Sequence, residues 1–242
     1  MGDVAYFCLL SIAVFCGAFV SGLAGFAFSA VAGAVLLHIL PPLEAVPLMM
    51  ACSIAVQATN LWALRKHIRW KESLILVAGG SLGVPIAVWL LQVTDARVFR
   101  DAFGVAVACY AAYMLFRPGL SYRLQMNIAR NALIGFSGGF IGGLTAMPGA
   151  IPTIWCDIHG VPKTEQRGMV QPFIAAMQIF ALGLMLIRKD LSSKVLVDFA
   201  TSVPALLAGS SLGITAFRYV DDALFRRIIL SILMVSGLLL VL

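Results

Sequence analysis

The stretch GFSGGFIGGLTAMPGAIP, residues 135–152, decides how this chain folds. It carries no charge, yet eight of its residues are glycine or proline. A bilayer core takes about 20 apolar residues to cross as a helix. No ordinary helix survives Met147-Pro148-Gly149 followed by Pro152, because proline lacks the N–H donor and its ring clashes with the preceding turn. The stretch therefore reads as half-helices that enter an apolar medium, break near mid-depth and continue or turn back. Irregular backbone at that depth is tolerated only where protein buries it or where it lines a polar cavity.

The same pattern occurs earlier in the chain. Phe19, Gly22 and Gly25 recur as Phe136, Gly139 and Gly142 at a shift of 117. His38, Pro41, Glu44 and Gln57 recur as His159, Pro162, Glu165 and Gln178 at a shift of 121. AGGSLGV at 78–84 returns as AGSSLGI at 208–214, and Asp95, Phe99 and Arg100 return as Asp221, Phe225 and Arg226. Two homologous halves follow: a first membrane repeat over 1–117, a basic connection over 118–130 and a second repeat over 131–242. Interrupted hydrophobic segments at corresponding places of two halves point to a transport site.

Composition makes the chain an all-α integral membrane protein. Hydrophobic residues form 61% and charged residues 12%, about half the charged share of a soluble domain. Runs free of Asp, Glu, Lys and Arg cover 4–43, 45–64, 73–94, 102–116, 131–156, 168–187, 199–217 and 228–242. About eight transmembrane segments are expected, the first of each half broken. The N-terminus lacks a basic region ahead of its apolar run and reads as a retained span rather than a signal peptide. The formal charge of +6 lies in short loops and is no nucleic-acid footprint. Basic loops stay cytoplasmic, and 65–72, 117–130 and 188–194 are the basic ones. They share one side if 4–43 and 131–156 each make one net crossing. Each half then has four crossings, both termini are cytoplasmic, and the halves are parallel. Two crossings per broken segment would invert the halves and split the basic loops between sides.

Polar residues at depth mark the candidate lining. Ser53, Gln57 and Asn60 share a face of one helix, and Gln171 and Gln178 share a face of its counterpart. Glutamine at depth also serves as interhelical glue, and glycine pairs such as Gly135 and Gly139 also let helices pack closely. No charged residue stands mid-span, and Asp198 lies within a few residues of a loop. A bound anion would then be held by neutral donors: backbone amides at half-helix N-termini, side-chain amides and hydroxyls. His38 and His159 end the broken segments, with Glu44 and Glu165 in the first turn of the next helix. They read as interfacial caps or as gating residues that respond to protonation. The five cysteines are scattered and suit apolar packing. Ser137 sits in a GxSG run that also fits an intramembrane serine protease, but the histidines lie at loops. A passive anion channel would share the broken helices and polar lining.

These residues carry a resemblance. FVSGLAGFAFSAVAG (19–33) and FSGGFIGGLTAMPGAIPTIW (136–155) are each followed by a short proline-containing loop and a helix, LPPLEAVPLMMACSIAVQATN (40–60) and VPKTEQRGMVQPFIAAMQIFA (161–181). Over its whole length the chain resembles the TauE/SafE-type sulfite exporter family of membrane permeases. The first half departs from the pattern, with Val31 where the second has Pro148, so the two halves of the site are expected to be unequal. The resemblance implies transport, usually export, of sulfite, organosulfonates or another small anion. It implies no enzyme activity and no cofactor. The expected partners are the anion and the lipid bilayer of the cell membrane, with no nucleic acid and homo-oligomerisation left open. The expected substrate site comprises Ser21, Gly22, Gly25, Gln57, Asn60, Ser137, Gly138, Gly139, Gly142, Gly143, Thr145, Pro148, Gln171 and Gln178, and alternating access would rock the halves around it.

Overall fold

The computed structural model describes residues 3–24, 27–116, 127–188 and 191–216, together with 230, 231, 233–235, 237 and 238. Most of these residues are helical, and no strand occurs among them. The elements are α1 (Asp3–Ala24), α2 (Phe28–Ile39), α3 (Pro42–Leu64), α4 (Trp70–Val93), α5 (Ala96–Phe116), α6 (Ile128–Thr145), α7 (Ala150–Ile158), α8 (Lys163–Ile187) and α9 (Ser193–Ala216). Among the described residues, five helices are long and apolar enough to cross a membrane: Val4–Gly22, Trp70–Val93, Ala96–Phe116, Thr164–Ile187 and Ser193–Ala216. Pro47, Pro85, Pro172 and Pro204 lie inside helices. Membrane helices tolerate this where neighbours re-satisfy the freed carbonyl.

The chain forms two compact units. One comprises Met1–Val56, Thr94–Arg117 and Leu191–Leu242, the other Gln57–Val93 and Pro118–Asp190. Each unit mixes segments from both sequence repeats. In the first, α1 packs against α9; in the second, α6 packs against α4. Glycine sets both crossings. A Cβ on Gly79 would run into the Ala132 backbone, and one on Gly83 would meet the Phe136 carbonyl. In the other unit, Gly209 meets the Phe15 carbonyl and Gly213 the Phe19 carbonyl. Gly79 and Gly209 are repeat counterparts, as are Gly83 and Gly213 and, at the shift of 117, Phe19 and Phe136. The two crossings are one packing mode used twice. Ascending residues meet ascending residues, so each pair is parallel. Without a hydrophobic force between helices in lipid, such backbone approach and its dispersion contacts are what hold them.

Both broken segments turn back. Gly17 of α1 lies against Phe28 and Ala32 of α2, a contact that a continuing helix would place about 16 Å away. Gly138 of α6 lies 3.0 Å, measured from a built Cβ, from Pro152 of α7, and Trp155 Nε1 donates to Asn131 Oδ1 at 3.1 Å. The returning strokes reach the end from which each hairpin starts. In the first unit Lys194, at the start of α9, binds Glu44 at 2.8 Å and lies 5.3 Å from the Tyr6 ring. In the second, the N–H of Arg69 donates to the Gly168 carbonyl at 3.0 Å and Ser73 Oγ to the Met169 carbonyl at 2.8 Å. The single net crossing expected from loop charge is therefore not what either segment makes. Loop 65–72 stands at the same end of its unit as 163–169, and residue 194 at the same end as Tyr6 and Glu44. Loop charges constrain sides only once the turns between them are known, and a backbone reversal leaves no mark on charge.

Candidate functional site

Each hairpin carries an alanine of positive φ at its reversal, half-buried at Ala27 and buried at Ala146. Ala27 has φ 76° and Ala146 φ 56°, the non-glycine residues of positive φ among those described. Standing there costs an L-residue about 1–2 kcal/mol, so packing must impose it. In the second unit the Ala146 N–H donates to the Gly142 carbonyl at 2.8 Å, closing α6. Pro148 then lies on Gly142, where only a residue without Cβ fits. Gln178, from the middle of α8 and 2% exposed, donates from Nε2 to the Ala146 carbonyl at 3.1 Å. The predicted site glutamine thus holds the break itself.

The half-helices begin at these breaks without side-chain caps, α2 after Ala27 and α7 after Gly149. The first amides of a helix have no carbonyl within it to meet, and the dipole makes that end partly positive. Phe28, Ser29 and Ala30 are buried, as are Pro148 and Gly149. The two ends differ in donors, because Pro152 in the first turn of α7 has no N–H while the first turn of α2 has no proline. At the α7 end the Ala150 N–H already donates to the Met147 carbonyl at 3.3 Å and the Thr153 N–H to the Gly149 carbonyl at 3.0 Å.

The other predicted residues divide. Gly138 and Gly142 serve the hairpin reversal. Gly22, Gly139 and Gly143 serve helix packing: Gly22 beside the Ser210 carbonyl, Gly139 on Gly80, and Gly143 against Ala87. The Ser137 hydroxyl donates back to the Leu133 carbonyl at 3.0 Å and the Thr145 hydroxyl to Ile141 at 2.8 Å, as helical serines and threonines commonly do. Ser21, Gln57 and Gln171 are buried. Gly25 and the Asn60 side chain lie outside the described residues. The histidines are not equivalent. His38 is exposed at the end of α2, whereas His159 packs its ring 4.0 Å from Trp155 and sets Nδ1 2.7 Å from the Trp155 carbonyl.

Sequence reasoning missed three features. The pivots fell on alanines, whereas the sequence reading singled out glycines and prolines as the points of breakage. Asp198, read as loop-proximal, is 3% exposed and accepts a hydrogen bond from Tyr6 at 2.6 Å. A buried carboxylate in a spanning helix needs such a partner; its place on the α1 side of α9 was the only available signal. The matched acids are also matched ion pairs. Glu44 meets Lys194 and Glu165 meets Arg69, each acid paired with a base from the opposite sequence repeat.

A family model described as sulfite exporter TauE/SafE matches residues 9–240. No curated protein matches the chain, and no solved structure does.

Proposed function

Because the chain belongs to the sulfite exporter TauE/SafE family, whose members are membrane transporters, we propose that it exports a small sulfur-containing oxyanion, sulfite or an organosulfonate, across the cell membrane. The observation that carries the reading is the pair of half-helix N-termini without side-chain caps, one in each hairpin. Backbone amides at a helix N-terminus suit a dense, multiply oxygenated anion and demand no buried cation. A membrane potential negative inside favours anion exit by about 2.3 kcal/mol per charge per 100 mV, so export needs no coupling ion. In this reading each unit offers the anion its own break, near Ser21–Gly25 in one and near Ser137–Pro148 in the other, with Gln57, Asn60, Gln171 and Gln178 as amide donors or supports. His38 and His159 gate access, and alternating access moves the substrate.

Proteoliposomes loaded with sulfite, sulfoacetate, taurine or sulfate test it. The expected outcome is saturable flux of one of the sulfur anions with counterflow, which separates a carrier from a channel. Gln57→Leu combined with Gln178→Leu should abolish that flux while the protein still inserts. Unchanged flux in the double variant would remove the site assignment, and linear, unsaturable flux would make the protein a channel.

A further inference from the structure

The turn between α3 and α4 holds a second concentration of chemistry that transport does not use. Arg65, Lys66, Arg69 and Lys71 fall within seven residues, with Trp62 just before them and Trp70 among them. The turn is fixed rather than loose. Arg69 is held by Glu72 and Glu165, its N–H by the Gly168 carbonyl, and Ser73 by Met169. Gly168 approaches the His67 carbonyl so closely that no Cβ would fit. Arg69 with Glu72 and Glu165 leaves one negative charge, while Arg65, Lys66 and Lys71 are exposed and make no ion pair among the described residues, so the turn keeps a positive excess. Lys194, in the other unit, is already matched by Glu44.

The two indoles say what this excess charge faces. Trp62 is 72% exposed and Trp70 62% exposed, in a chain with ample apolar interior to bury them. Exposed tryptophans of membrane proteins sit at headgroup depth. The Arg65 guanidinium lies 4.4 Å over the Trp62 ring. Leu74, one turn into α4, is 59% exposed. Cations, indoles and an apolar step are thus stacked in the order of a phospholipid's own phosphate, interface and chain.

We propose that this turn is a binding site for the headgroup of an anionic phospholipid, with Arg65, Lys66 and Lys71 on the phosphate and Trp62 and Trp70 on the interfacial region. A soluble oxyanion would use the same three cations but gain nothing from the indoles. Each such cation contributes about a fivefold factor in affinity for an anionic surface.

The test is lipid retention by the delipidated full-length protein, offered phosphatidylglycerol or phosphatidylcholine and weighed by native mass spectrometry. Phosphatidylglycerol should be retained about tenfold over phosphatidylcholine or more. The triple variant Arg65→Gln, Lys66→Gln, Lys71→Gln should bring that ratio near one, while Lys194→Gln leaves it unchanged. If the triple variant does not insert, Arg65→Gln and Lys71→Gln singly should each lower the ratio severalfold. A ratio that survives these changes overturns the proposal. So does displacement of the lipid by millimolar inorganic phosphate or sulfite, which would make the turn a soluble-anion site.

Discussion

The hairpins α1–α2 and α6–α7 do the same thing by different means. The second is armed with proline: Pro148 sits on Gly142, Pro152 on Gly138, and Gln178 clamps the pivot carbonyl. The first has no proline between Gly17 and Leu40, yet it also reverses at a left-handed alanine, with Gly17 against Phe28 and Ala32. Proline guarantees that a helix stops, but it is not what makes this chain turn. The common element is a glycine-lined first helix pressed on a glycine-lined partner, α1 on α9 and α6 on α4. The returning half-helices then lie back on the first helices, α2 on α1 and α7 on α6.

The largest effect expected is on topology. Accessibility tags at 66 and 160 should report the same side of the membrane, and tags at the N-terminus and at 192 should also agree with each other. Labelling of 66 and 160 from opposite sides would break the equivalence of the hairpins. Next in size, Gly79→Val and Gly209→Val should each destabilise the folded protein by about 3 kcal/mol or more, since the obstacle is backbone that cannot move aside. Thermal unfolding in detergent reads this. Comparable losses mean the crossings are energetically alike, whereas a loss confined to Gly79 would mean that proline-rich α6–α7 depends on its partner and α1–α2 does not.

At the pivots, Ala27→Val and Ala146→Val should cost about 1–3 kcal/mol each, because a β-branched residue resists positive φ. The cost should be greater at Ala146, where the carbonyl is also committed to Gln178. Equal losses would show that the clamp adds nothing. The smallest effect is at the acids. Glu44→Gln and Glu165→Gln remove ion pairs that are partly exposed, so each should shift stability by about 1 kcal/mol or less. A larger loss at either would mark that pair as more than a surface contact.

Much of the fold is legible in the residues alone. Charge-free runs and hydrophobic content identify an all-α membrane protein, and the offsets of 117 and 121 identify the internal repeat. The change of offset between Gly25 and His38 even brackets the first reversal. The site is legible in part. Gln178 reads as a polar residue at depth and holds a pivot, while Gly22, Gly139 and Gly143, read as lining, lie close against neighbouring helices. Glycine supplies a missing side chain in either role, so its spacing alone does not separate them. Asp198 escapes such a reading because distance along the chain from a loop says little about burial across helices.

By itself the sequence determined the medium, the helices and the places where they must break, because these depend on local composition: a charge-free run partitions into lipid, and Pro148-Gly149 cannot stay helical. Tertiary structure decided the rest. It chose turning back over continuing. It set α4 on α6 and α9 on α1, so that each half contributes a helix to the other's hairpin. It also made alanine, not glycine, the pivot. Those outcomes depend on which backbone approaches which, and a face of glycines accepts several partners until the whole bundle is assembled.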